Sequence, residues 1–202
     1  RPIYPCPARL EQVKSPHVTG REDSLTFLLR IAAFIDSLNE CIGRACYWLV
    51  LVAVLVSSGN AVARYVLGMS SNAFLEIQWY LFAAIFLLAA GYTHQHDGHV
   101  RVDVFYSRRS KRAQAWIDIF GGLLFLLPMS IAILWLSWPM FASSFQINEG
   151  SPDPGGLLRW PIKLAIPVGF GLLTLQGIAE IIKKCASLQG VEIPSSPERN
   201  EG

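Results

Sequence analysis

Charge is scarce in this chain. Only 16% of its 202 residues are Asp, Glu, Lys or Arg, against about 25% in an average soluble domain. A soluble protein this short needs more than that to cover its surface. The net charge of +2 is too small to point to nucleic acid, so no nucleic-acid partner is expected. Cysteine is scarce as well. Cys6, Cys41, Cys46 and Cys185 form no C-x-x-C pair, which leaves neither a zinc finger nor a disulfide framework. No P-loop, G-x-S-x-G or H-E-x-x-H occurs, so no enzyme is expected. No apolar h-region follows the early basic residues, so no cleavable signal is expected; with Arg1 in first place, the true start is expected to be processed or missing.

Apolar residues are abundant, at 52%, and they are gathered into runs. Between Arg44 and Arg64 no charge interrupts "ACYWLVLVAVLVSSGNAVA", about 28 Å of helix against roughly 30 Å of hydrocarbon. Further runs separate Glu76 from His94 and Asp118 from Glu149, and a fourth covers residues 160–182. The fold class expected is therefore an all-α integral membrane protein of four transmembrane helices, at about 45–66, 74–93, 116–142 and 160–182. They form one membrane domain, residues 24–185, between tails at 1–23 and 186–202 that are expected to be disordered and cytoplasmic. Pro128, Pro139 and Pro167 fall inside runs, where kinks are tolerated in membranes.

The basic residues set the orientation. Arg101, Arg108, Arg109, Lys111 and Arg112 lie between the second and third runs, Arg21, Arg30 and Arg44 before the first, and Lys183 and Lys184 after the fourth. The turn at 65–75 has none and that at 144–160 only Arg159. The positive-inside rule then puts both termini in the cytoplasm of a bacterial inner membrane.

Residues 24–43, "SLTFLLRIAAFIDSLNECIG", have Leu28, Ile31, Ile35, Leu38 and Ile42 at helical spacing. This is an amphipathic helix, expected to lie on the inner interface, with a packed extension of the first span as the alternative. Ala53, Ser57 and Ala61, like Ala165 and Gly169, repeat every four residues. They are expected to serve packing inside the four-helix unit.

The most polar central stretch is "THQHDGHVRVDVFYSRRSKR", residues 93–112. His94, His96, His99 and Asp97 offer metal-ligand types, but the spacing fixes no geometry. The run "RRSKR" lies against a membrane whose anionic lipids are the simplest partner. A haem between helices would need histidines facing each other inside the bilayer, and these sit at one end. No cofactor or metal is expected. Arg64, Glu76, Lys163 and Glu180 all lie near span ends, so no ionisable group marks a path through the bilayer centre. No two-copy internal repeat of the kind found in carriers is evident. A scaffold or partner subunit fits better than the alternatives, a free-standing four-helix channel or carrier, or a redox membrane protein.

The stretch "FLEIQWYLFAAIFLLAAGYTHQHDGHVRVDVFYSRRSKR" resembles the core of the DctQ-type small membrane subunit of tripartite ATP-independent periplasmic (TRAP) transporters. "SPDPGGLLRWPIKLAIPVGFGLLTLQGIAEII" is similar to that family's last loop and fourth span. In the family a glutamate opens the second span and a histidine-x-arginine-x-aspartate segment follows it; the matching positions are Glu76, His99, Arg101 and Asp103. With Trp79, and with Arg159 and Trp160 entering the fourth helix, these form the expected subunit-interface or structural motif. The resemblance implies two protein partners. One is a large, DctM-type permease subunit; the other is a periplasmic solute-binding protein that delivers an organic acid for sodium-driven uptake. Glu76 is expected at the outer interface, held by Trp79 and Tyr80 or by the large subunit, with a snorkelling carboxylate that has no partner as the alternative. Arg101 and Asp103 would form a polar clasp at the inner surface.

Overall fold

The structure, a computed structural model, describes residues 22–66, 68, 72–96 and 110–189. Six α-helices and one π-helical turn account for most of them. Helix α1 is Glu22–Val66, α2 Asn72–Leu88, α3 Ala90–Gln95, α4 Lys111–Gly121, α5 Leu127–Gln146 and α6 Trp160–Leu188. They make four helical rods long and apolar enough to cross a membrane, as the four uncharged runs require.

Helix α1 is the longest, 45 residues without a break. At 1.5 Å per residue it measures about 67 Å, more than twice the hydrocarbon thickness. The N-terminal amphipathic helix is thus present and continuous with the first span. Its packing face differs from the apolar stripe read in the sequence. Ala32, Ile35, Asn39, Gly43 and Cys46 are buried, whereas Leu28 and Ile31 are exposed together with Phe27 and Phe34. The buried stripe carries small and amide side chains because α1 lies close to its neighbours. A β-carbon added at Gly43 would stand 2.3 Å from the Tyr92 ring. Of the apolar stripe, Ile35 packs inward, Leu38 and Ile42 are half-buried, and Leu28 and Ile31 point outward.

Helices α2 and α3 form one rod. The bonds from Ala89 N to Ile85 O (3.0 Å) and from Thr93 N to Ala89 O (2.8 Å) keep helical spacing across the joint. Ser110 caps α4, its side-chain oxygen accepting from Ala113 N, as a serine before a helix does. The π-helical turn at Gly122–Leu126 then joins α4 to α5. Pro128 follows at once. It has no N–H for the carbonyl four residues earlier, and a widened turn absorbs that loss.

Helix α6 is the hub, in contact with every other helix. Its buried face includes Pro167, Gly169, Leu172, Gln176, Gly177 and Ala179. Two glycines set the approach. A β-carbon at Gly169 would lie 2.6 Å from the Leu87 carbonyl oxygen, and one at Gly177 2.4 Å from Leu126. Small residues at helix crossings are how membrane bundles gain packing energy, because lipid supplies no hydrophobic drive between helices. Of the two small-residue stripes, Gly169 therefore packs inside the unit; in the other, Ser57 accepts from the Gln78 amide of α2 although it is exposed, and Ala61 is exposed. The outer surface of the rods is largely apolar, with Trp135 and Phe125 76% exposed and Phe82 73%. Such a surface suits acyl chains, not water.

Candidate functional site

The first turns of α2 present Asn72, Glu76 and Tyr80 on one face, four residues apart. That face grips the loop between α5 and α6. The Asn72 amide donates to the Pro154 carbonyl (3.1 Å), and the Tyr80 hydroxyl donates to the Leu158 carbonyl (3.1 Å). Between them Glu76, only 4% exposed, accepts from the Leu157 amide at 2.6 Å and from the Ser151 hydroxyl. A buried carboxylate is costly unless its oxygens are occupied, and both oxygens here are.

The loop is built to meet it. Gly150 and Leu158 form an antiparallel bridge, and Ser151 N donates to Leu157 O (3.0 Å). At the tip, Gly156 N bonds back to Asp153 O (3.0 Å). Pro154 and Gly155, the latter at φ +73°, occupy the central positions of a type II turn, where proline and glycine are favoured. At the loop's base the Arg159 amide donates to the Glu149 carbonyl (2.8 Å), and the Lys163 ammonium pairs with the Glu149 carboxylate. That hydrogen bond holds the Glu149 carboxyl below the usual carboxylate range.

At the other end of the bundle, polar side chains join α1 to α6. Asn39 and Gln176 are both fully buried. The Asn39 amide nitrogen donates to Gln176 Oε1 (2.8 Å) and to the Ile35 carbonyl (3.2 Å), and Gln176 Nε2 donates to Asp36 Oδ1 (2.8 Å). Lys183 reaches Asp36 at 3.1 Å and also pairs with Glu180. Lys184 pairs with Asp118 on α4 at 2.8 Å. Glu40 binds Arg44 at 3.0 Å and meets His96 at 3.4 Å. These acids and bases, all part-exposed, therefore pair with one another within the subunit.

The residues singled out in the sequence fall in different places. Glu76, Arg159 and Trp160 come together at the loop end. Trp79 is half-exposed, packed edge-on to Tyr80 with ring centres 4.3 Å apart, but the Glu76 oxygens are taken by the loop. Trp160 opens α6 and packs edge-on to Phe145 at 5.3 Å. Arg159 precedes it, and its Nε is buried without a hydrogen-bond partner among the described residues. His99, Arg101 and Asp103 lie outside the described residues. Ser151, Asn39 and Gln176 were not anticipated. A single amide inside an apolar run, as Gln176 is, was the available signal for the last.

Four spans, a glutamate opening the second and a polar segment after it leave one comparison to decide. The model of the DctQ component of tripartite ATP-independent periplasmic transporters matches residues 53–186. The chain belongs to the DctQ family. It is thus a multi-pass membrane protein of the small-permease type, a component of a transporter. No curated protein matches it.

Proposed function

We propose that this DctQ-type subunit binds a large, DctM-type permease subunit in the bacterial inner membrane and extends its fixed scaffold. The large subunit takes up an organic acid with sodium, and a periplasmic solute-binding protein delivers it. Both termini are cytoplasmic in this reading, as the distribution of arginine and lysine favours. The observation that carries it is the family match across residues 53–186. The pairing of Asp36, Glu40, Asp118, Glu149 and Glu180 with bases of the same chain supports a static role, because the groups that mark a transport path are ionisable residues near the bilayer centre. Arg101 and Asp103 form a clasp at the cytoplasmic surface, within the subunit or across to the large one. Membrane lipids cover the apolar exterior.

Co-expression with a large permease subunit tests the reading. The two should purify as one complex, and vesicles holding this chain alone should move no solute. Separate elution, or flux through the isolated chain, would show the scaffold role to be wrong. For the clasp, Arg101→Asp paired with Asp103→Arg should weaken assembly; normal assembly would count against it.

A further inference from the structure

The face of α1 turned away from the bundle carries a regular seam. Starting at Phe27, alternating steps of four and three residues meet only apolar or small side chains as far as Val66, Ala45, Trp48 and Gly59 among them. Every position of the seam is exposed except half-buried Leu38. A repeat of 3.5 residues is the spacing at which one helix seats along another, and most membrane bundles share the left-handed packing of coiled coils.

Lipid alone cannot cover this seam. From Phe27 to Val66 the helix rises about 58 Å, of which about 55 Å lies along the membrane normal at the usual tilt of about 20°. A whole bilayer, headgroups included, is about 45 Å thick at most. Part of the seam therefore stands in water unless protein covers it. Phe27 and Phe34, both strongly exposed, precede Asp36, whose pair with Lys183 belongs to the ionic end of the bundle. Large aromatics in line with a membrane-spanning seam, but past its lipid, call for a protein helix of similar length.

A second copy of this chain is a poor fit. Copies inserted the same way meet in register about an axis along the membrane normal. Trp48, 72% exposed, would then face Trp48, and Gly59 would face Gly59. One layer is overpacked and the other void, whereas helices interlock when large side chains meet small ones. Arg30, exposed one position before Ile31, stands where interhelical ion pairs form, but the facing residues of a second copy, Leu28 and Ile35, are apolar.

We infer, on the scaffold reading proposed above, that this seam docks lengthwise against one long helix of the large permease subunit. That helix has small residues opposite Trp48, bulkier ones opposite Ala45 and Gly59, and a carboxylate near Arg30. Lipid covers the rest of the exterior, the face of α5 with Phe125 included.

Photo-cross-linking of the full chain co-expressed with a large permease subunit tests this. A photoreactive phenylalanine analogue placed at Phe34 or at Leu55 should attach to the large subunit, and one at Phe125 should not. A second variant needs no probe. A β-carbon at Gly59 meets nothing within 4 Å, so Gly59→Leu should melt no lower than the unaltered chain when isolated. It should nevertheless cut the recovered complex about tenfold, by filling space that the partner helix occupies. A complex that forms but cross-links only through Phe125 leaves the scaffold reading standing and overturns this contact. Cross-links between two copies of this chain, or within one copy, overturn it as well, as does full recovery of the Gly59→Leu complex. Failure of the two unaltered chains to co-purify takes the scaffold reading down with it.

Discussion

The Leu157 amide donates to the Glu76 carboxylate at 2.6 Å although 81 residues separate the two in the chain. Glu76 lies near the start of a membrane-crossing helix, and Leu157 belongs to the loop between two others. Their bond ties three of the four rods together at one end of the bundle. It also explains a glutamate inside an otherwise apolar helix, since the carboxylate replaces the water that the loop excludes.

Substitution of Glu76 should loosen that loop in two steps. Glu76→Gln keeps one oxygen for the Leu157 amide and costs about 1 kcal/mol. Glu76→Leu strands both donors and costs about 3 kcal/mol. Amide exchange at Leu157 and thermal unfolding read the difference. Wild-type exchange in both variants would mean that the carboxylate does not hold the loop.

The Glu149–Lys163 pair should make the base of the loop sensitive to acid. The folded Glu149 carboxyl titrates below its ordinary value, so its contribution is complete above the ordinary carboxylate range. It is lost as pH falls through the lowered folded value. Trp160 fluorescence, followed from neutral pH downward, should report that loosening. The response should disappear in Lys163→Met.

Asn39 and Gln176 should behave as a unit. Gln176→Leu removes the bond to Asn39 and the one to Asp36, for about 1–3 kcal/mol. Asn39→Leu should cost a similar amount. The double variant should cost less than the sum, because no buried amide then lacks its mate. Strict additivity in denaturation would refute the coupling.

Glycine substitutions should separate crossing from surface. Gly169→Ala drives a methyl to 2.6 Å from the Leu87 carbonyl, backbone that cannot step aside, and should cost about 1–3 kcal/mol. Gly59→Ala meets nothing within 4 Å and should be neutral, or stabilise α1 by about 0.5–1 kcal/mol. Similar unfolding temperatures for the two would contradict the packing described for α6.

Hydropathy and charge by themselves determined the four spans. A peptide group in lipid must be bonded within its own segment, so a long uncharged run has few options besides a helix. The turn at Asp153–Gly156 was also local, written in its proline and glycine. Tertiary structure alone decided which faces meet. In a water-soluble protein the apolar stripe of a helix points to the core, but here lipid and core are equally apolar, so Phe82 and Trp135 could face either way. The inward faces were chosen by what lipid cannot offer: a partner for Asn39, Gln176 and Glu76, and space for a neighbour's backbone beside Gly169.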